Sequence, residues 1–321
     1  MTSSSTATIT RLTPEPLPEN IGSVQPGGGV CFRIEMAWGG WRRGWLKLFR
    51  KGYVEKMLAV RKGEAGRCVQ EVLDPRDLKF VRNQCTFDWP KEHDCFGWRE
   101  SIPFARWGLA ELQLMGWPLL ALTILAGWWW WPVALVPGVV LGLIIYFFRD
   151  PPRRIPDEPN ILISPADGTI AEITELDHDD FIGGPALRIG IFLSIFNVHI
   201  NRAPCRCRVI RMSYHPGKFL NAMNPQSAIL NENLWIGLEE EETPHRRLVV
   251  RQISGLIARR IVCAARSGEV LERGAKFGMI KLGSRTELIV PREPGMEITI
   301  GMGQKVKAGS TIFLRRATNA S

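Results

Sequence analysis

The chain has 321 residues, 45% of them hydrophobic, which supplies a core and excludes a wholly disordered protein. Its formal net charge of +9 indicates an anionic partner, either nucleic acid or a lipid surface. The seven cysteines include no C-x-x-C pair, so the sequence predicts reduced thiols in a cytoplasm-facing protein and no metal site.

The N-terminal third divides into a tail and a basic region. Residues 1–30 are rich in Ser, Thr, Pro and Gly without an apolar run, which predicts a disordered tail and no signal peptide. Residues 31–104 are predicted to be basic, aromatic and membrane-proximal, with ten Lys/Arg against three Asp/Glu in 31–70. One helical face carries four aromatic residues at spacings of 3, 4 and 4: Trp38, Trp41, Trp45 and Phe49.

That aromatic face is compatible with two environments, packing on the protein or contact with an anionic membrane surface. Aromatics among basic residues also suit nucleic acid, but the apolar segment that follows favours lipid. The connector over residues 68–104 is loop-rich and receives no functional assignment.

An uncharged run of 37 residues extends over 112–148. One spanning helix needs about 20 apolar residues, so the run predicts a two-helix membrane hairpin within 105–148, with helices at 112–129 and 133–148. Four consecutive tryptophans and Pro132 mark the predicted turn at the far interface. Arginines flank both ends, which predicts that both ends are cytoplasmic. A single long tilted helix is the alternative.

Residues 149–321 are predicted to form the catalytic domain, a β-rich α+β unit with a barrel- or sandwich-like architecture. A minor helix is expected near 218–228. Short apolar or alternating runs, separated by Gly and Pro turns, predict strands at 186–193, 248–253, 260–264, 286–290, 297–301 and 311–314.

Three turn-like segments of this domain contain the residue types of an activated hydroxyl nucleophile: Asp167, His199 and Ser284. Each also has an ordinary structural interpretation, because Asp-Gly and Gly-Ser are common in turns and a lone His is often a core residue. In the reactive interpretation, the Ser284 hydroxyl attacks the Gly283 carbonyl and the chain cleaves itself. The residues alone leave the choice open.

These segments, together with Phe147-Phe148-Arg149-Asp150-Pro151-Pro152-Arg153, resemble phosphatidylserine decarboxylase proenzymes of the short bacterial and archaeal form. The resemblance is collinear from about residue 145 to residue 316. Further similar segments are Pro216-Gly217-Lys218-Phe219, Asn231-Glu232-Asn233 and Gln252-Ile253-Ser254-Gly255-Leu256-Ile257-Ala258-Arg259-Arg260-Ile261.

The resemblance implies self-cleavage between Gly283 and Ser284 into chains 1–283 and 284–321, with a pyruvoyl group made from Ser284. That ketone is expected to form a Schiff base with phosphatidylserine and to accept electrons as CO₂ departs, which yields phosphatidylethanolamine for phospholipid biosynthesis. The implied location is the cell membrane, at an anionic surface, with the catalytic domain on the cytoplasmic side and no nucleic-acid partner.

The resemblance also implies that Asp167 and His199 act in self-processing and proton transfer. Some relatives carry a second His three residues after the first, where this chain has Arg202. The base is therefore open between His199 alone and a contribution from His215 or His245. Arg202 is predicted instead to hold the phosphate or carboxylate of the substrate.

Two other classes of function are alternatives to the enzyme. A non-processing, membrane-anchored lipid-binding module would retain the fold without cleavage. A biotinyl- or lipoyl-type carrier would need a lysine at an exposed hairpin tip, which the segment Met296-Glu297-Ile298 lacks. The intact Gly283-Ser284 pair and His199 favour the enzyme.

Overall fold

The computed structural model describes residues 11–221, 224, 226–256, 260–281 and 284–317. Within them, the α-helices are α1 (Val30–Phe49), α2 (Lys51–Val60), α3 (Leu78–Val81), α4 (Leu109–Trp129), α5 (Trp131–Phe147) and α6 (Ser227–Leu230). The strands are β1 (Ile161–Ile163), β2 (Gly168–Asp179), β3 (Gly184–Leu193), β4 (Ile200–Arg202), β5 (Cys207–His215), β6 (Asn233–Glu240), β7 (Arg247–Ser254), β8 (Arg260–Cys263), β9 (Val270–Leu271), β10 (Lys276–Lys281), β11 (Ser284–Pro291), β12 (Glu297–Ile298), β13 (Lys305–Val306) and β14 (Ile312–Arg315).

The C-terminal domain is built on one large antiparallel sheet, which curls into a half-barrel with the strand order β13-β2-β3-β11-β7-β6-β5-β9. A three-stranded sheet, β4-β10-β8, packs on one face of it and is called here the covering sheet. A second small sheet has the order β1-β14-β12. The predicted β-rich character is confirmed.

The core lies between the large sheet and the covering sheet. Side chains alternate across a strand, so every second residue of β3 faces the core: Leu187, Ile189, Ile191 and Leu193. The covering sheet contributes Ile261 and Ile280 to the same cluster. Apolar burial at these positions stabilises the fold by roughly 1.5–3 kcal/mol per large side chain.

The predicted pair of apolar helices is present, with the connection at Trp130 and Pro132 in the first turn of α5. Small residues allow the two helices to approach closely, since a Cβ added at Gly127 would lie 3.6 Å from that of Ala134. Within the described part of the chain, one helix is long and apolar enough to cross a membrane, Arg106–Trp129, whereas Trp131–Phe147 is apolar but shorter. Insertion of the pair into a membrane therefore stays a prediction.

The basic aromatic region forms two helices where the sequence suggested one, with a break at Arg50. The predicted aromatic face of α1 is exposed along its length. On the same helix, Arg42 and Arg43 form ion pairs with the buried carboxylates of Asp74 and Asp77. Part of the basic excess is therefore neutralised inside the protein.

Residues 11–29 differ from the predicted disordered tail, whose first ten residues lie outside the described part of the chain. This strap packs across the domain with Ile21 and Val24 buried. Three long-range backbone hydrogen bonds hold it among the described residues: Glu15 N–H to the Ile210 carbonyl at 2.7 Å, Val24 N–H to the Phe80 carbonyl at 2.9 Å, and Cys263 N–H to the Val24 carbonyl at 2.8 Å. The composition predicted disorder because this segment has few apolar residues. Burial of Ile21 and Val24 is enough to order the strap because long-range backbone hydrogen bonds also hold it.

The glycines at the end of the strap allow close packing. A Cβ added at Gly27 would lie 2.4 Å from Oε1 of Glu232, and one at Gly29 would lie 1.8 Å from Nε of Arg260. Gly29 also has φ of 134°, a conformation that other residues rarely adopt. The glycine run, which in the sequence indicated disorder, thus lets the strap pack closely against Glu232 and Arg260.

Candidate active site

Ser284 begins β11 near the middle of the large sheet. It pairs with Leu193 of β3 on one side and Ser254 of β7 on the other. Since β10 ends at Lys281, only two residues connect β10 of the covering sheet to β11 of the large sheet. Those two residues include Gly283, so this half of the predicted cleavage site lies outside the described residues.

The Ser284 hydroxyl is buried and faces the core side of the sheet, because it alternates in phase with the core residue Leu288. Ser284 is 0% exposed, and Ser284 Oγ has no hydrogen-bond partner among the described residues. Leaving a buried hydroxyl unsatisfied costs roughly 1–3 kcal/mol. A group held at that cost requires an explanation, and a reactive role supplies one.

His199 lies at the start of β4, where its carbonyl accepts a hydrogen bond from Ile280 N–H at 3.1 Å. The imidazole is 1% exposed and contacts the Phe147 ring, with centroids 4.5 Å apart. Its Nδ1 is 2.9 Å from the Asn197 carbonyl oxygen. A carbonyl can only accept, so Nδ1 carries the proton and Nε2 presents the lone pair.

Burial lowers the pKa of His199 to about 4, against the opposing effect of the Asn197 hydrogen bond, and the nearby Arg149 charge lowers it further. The imidazole is therefore neutral at pH 7 and has the protonation state of a base.

Asp167 has partners other than His199. Its carboxylate accepts hydrogen bonds from Arg153 Nη2 at 2.7 and 2.9 Å and from the Ala308 N–H at 2.8 Å. Among the described residues, no hydrogen bond joins it to His199 or Ser284. The group that orients the imidazole is the Asn197 carbonyl, which sequence could not identify because a backbone carbonyl has no residue signature.

Arg202, the predicted substrate ligand, ends β4 of the covering sheet and is buried in a charged cluster. Its guanidinium donates to the Gly274 carbonyl at 3.0 Å and to Asp150 at 3.2 Å, and Asp150 also pairs with Lys276. Burial lowers the pKa of Arg202, although Asp150 opposes that effect. These contacts show a role in holding the segment after α5, and its role in substrate binding stays a prediction.

The two alternative histidines are placed differently. His215 ends β5 and pairs with Asn233, at the same end of the large sheet as Ser284. His245 precedes β7, whereas Ser284 pairs with the last residue of that strand. Eight residues of strand span about 24 Å, so His245 is too distant to act on Ser284.

A polar network lies on the same face of β11 as Ser284, two residues further along the strand. Asn201 Nδ2 donates to Thr286 Oγ1 at 3.1 Å, and Gln252 Nε2 donates to Asn201 Oδ1 at 2.9 Å. These residues belong to β4, β11 and β7, so the bonds fix the covering sheet relative to the strand that begins with Ser284. Gln252 Oε1 has no partner among the described residues, but the bonds that are made favour one arrangement of the elements they join.

Lys281, the last residue of β10, forms a buried ion pair with Glu111 in the first turn of α4. The two residues are 7% and 9% exposed. Lys281 Nζ also donates to Gln25 Oε1 of the strap at 3.4 Å. The end of the covering sheet beside the predicted cleavage site is thereby connected to both the apolar helices and the strap.

Fold and site together define a β-rich domain built around a buried serine and a neutral histidine, attached to a pair of apolar helices. Residues 140–314 match the family model described as phosphatidylserine decarboxylase. The chain belongs to the phosphatidylserine decarboxylase family and is a decarboxylase.

Curated relatives support this assignment. The chain is 52% identical over 238 residues to the phosphatidylserine decarboxylase proenzyme of Rhodopirellula baltica, covering 74% of this chain and 98% of the relative. It is 38% identical to the proenzyme of Carboxydothermus hydrogenoformans over 68% of this chain and 98% of the relative. The proenzyme of Desulfotalea psychrophila is 45% identical over 53% of this chain and 77% of the relative.

Proposed function

We propose that this chain is a self-processing, membrane-bound decarboxylase that converts phosphatidylserine to phosphatidylethanolamine with a pyruvoyl group made from Ser284. The observation that carries the proposal is the Ser284 hydroxyl, which is buried without a partner among the described residues, at a two-residue connection between sheets. The relatives' names support processing, because they are called proenzymes.

Self-processing would begin when Ser284 Oγ gives its proton to a base and bonds to the Gly283 carbonyl carbon. The C–N bond breaks and the amine gains a proton, which leaves an ester. Loss of the Ser284 Cα proton then expels the Gly283 carboxylate and leaves dehydroalanine. Water releases ammonia from it and leaves the pyruvoyl group. We assign the base to His199, whose neutral imidazole presents Nε2 as the acceptor.

The pyruvoyl group supplies a carbonyl that accepts the electron pair left when CO₂ departs. The residues present fit such a group, since position 284 is buried and its strand is bonded by neighbours on both sides. His199 holds or returns a proton at this site, and Phe147 covers its ring against water. A dry site strengthens each of these polar interactions.

The proposed location is the membrane, with α4 and α5 inserted and the catalytic domain on the cytoplasmic side. Arg149, Arg153 and Arg154 follow the helical pair directly, which favours a cytoplasmic end. The exposed aromatic face of α1 would lie at the surface of the bilayer. This placement brings the decarboxylase domain to its anionic lipid substrate.

The test is the intact mass of the denatured protein. We expect two chains, with the shorter one being the 38 residues 284–321 and carrying a pyruvoyl group in place of its amine. The Ser284→Ala chain should keep all 321 residues and lack activity. Complete cleavage and full activity of Ser284→Ala would refute the assignment. An uncleaved wild-type chain that does not decarboxylate phosphatidylserine would indicate the lipid-binding module.

A further inference from the structure

An unassigned cavity of about 600 Å³ lies between α1, the start of α4 and the loop-rich connector. Its walls differ in character. One wall is apolar and comes from the two helices: Ile34, Trp38, Leu114 and Trp117. The other wall carries five cations beside two carboxylates, Glu35 and Asp77; the cations are Arg42, Arg76, Lys79, Arg99 and Arg106. An apolar groove that meets a cluster of cations has the shape of a site for an amphipathic anion.

Three of the five cations are neutralised by neighbouring carboxylates. The ion pairs are Arg42 with Asp74, Lys79 with Glu35, and Arg106 with Glu100. The guanidiniums of Arg76 and Arg99 have no carboxylate within 4.0 Å among the described residues. Both are half-buried and lie near the Phe96 ring, at 5.6 and 4.6 Å from its centroid. Neither charge therefore has a carboxylate in direct contact, although more distant ones, Asp74 for Arg76 and Asp94 for Arg99, partly offset it.

The pKa values of these two arginines are lowered, which shows that their charged forms are disfavoured in this site. Burial lowers the pKa of Arg99 to about 10, and repulsion from Arg76 and Arg106 adds to the effect. Burial likewise lowers the pKa of Arg76, with Arg42 as the next contributor. A bound anion would offset this repulsion, because like charges within a poorly solvated site are unfavourable.

We propose that this cavity binds the phosphate-bearing headgroup of an anionic phospholipid, with the acyl chains along the wall formed by Trp38 and Trp117. Arginine matches phosphate geometry through paired N–H donors. The cavity lies at the start of the helix that could cross a membrane, the depth at which headgroups and interfacial tryptophans meet. The proposal rests on the membrane placement given under Proposed function, but its residues are separate from Ser284 and His199.

Binding is tested with detergent-solubilised full-length protein and three probes: dioctanoyl phosphatidylglycerol, dioctanoyl phosphatidylcholine and inorganic phosphate. We expect the anionic lipid to bind about tenfold more tightly than the zwitterionic lipid, a difference of about 1.4 kcal/mol. R76Q/R99Q should lose this preference, and R76K/R99K should retain part of it. The matched control K51A/K56A removes the same charge from exposed positions on α2 and should bind as wild type.

Unchanged lipid preference in R76Q/R99Q would overturn the proposal. Inorganic phosphate that binds as tightly as the anionic lipid would overturn the lipid assignment in favour of free phosphate. Thermal unfolding without lipid checks that the variants fold, and R76Q/R99Q should be no less stable than wild type, since repulsion is removed. The Ser284→Ala chain should still bind the anionic lipid, so failure here and failure of the decarboxylase proposal give different results.

Discussion

Removal of the Asp167 charge should destabilise the domain through Arg153. In Asp167→Asn, the Arg153 guanidinium keeps its charge in a pocket where both side chains are 9% exposed. Removing one partner of a buried ion pair costs about 3–5 kcal/mol, because the other charge is left uncompensated. For a domain of this size, 1 kcal/mol shifts Tm by about 2–4 °C, so Tm should fall by roughly 6–20 °C.

The assay is thermal unfolding in a Ser284→Ala background, which keeps the chain uncleaved and uniform. Arg153→Met should be similarly destabilised, whereas the double variant should recover most of the loss, because no buried charge remains. Two results together would refute this reasoning: an unchanged Tm of Asp167→Asn in the Ser284→Ala background, and loss of cleavage when Asp167→Asn is made in the chain that keeps Ser284. That outcome would assign Asp167 to the proton-transfer chemistry itself, as the family resemblance implies.

Three further predictions concern the surroundings of the site. The pKa of His199 is about 4 in the folded chain and near 6.5 unfolded, so the unfolded chain binds the proton first and stability should fall by about 2 kcal/mol from pH 7 to pH 5. Chemical unfolding at the two pH values measures this fall, and His199→Gln should abolish it. Glu111→Gln leaves the Lys281 charge buried, so it should lower the unfolding midpoint and slow accumulation of the cleaved chain on gels. Gly29→Val should destabilise by about 1–3 kcal/mol through overpacking, whereas Gly22→Ala, with nothing within 4 Å of the added Cβ, should be neutral in the same unfolding assay.

Sequence periodicity identified the elements whose pattern is local. The apolar run around β3 and the uncharged run that forms α4 and α5 were predicted with boundaries near those observed. Strand β2, with 12 residues, was missed because only its beginning is buried and its remaining residues are mixed in polarity. The strap over residues 11–29 was missed because its order depends on bonds to distant residues.

The amino-acid sequence by itself determined the family, the residue types of the site and the apolar helical pair, because each is recorded in contiguous residues. Only the tertiary structure decided which groups contact one another. Asp167 pairs with Arg153, and the Asn197 carbonyl orients the His199 ring. The Ser284 hydroxyl is buried without a partner among the described residues. Such contacts join residues distant in the chain or involve backbone atoms, and neither leaves a pattern in a single sequence.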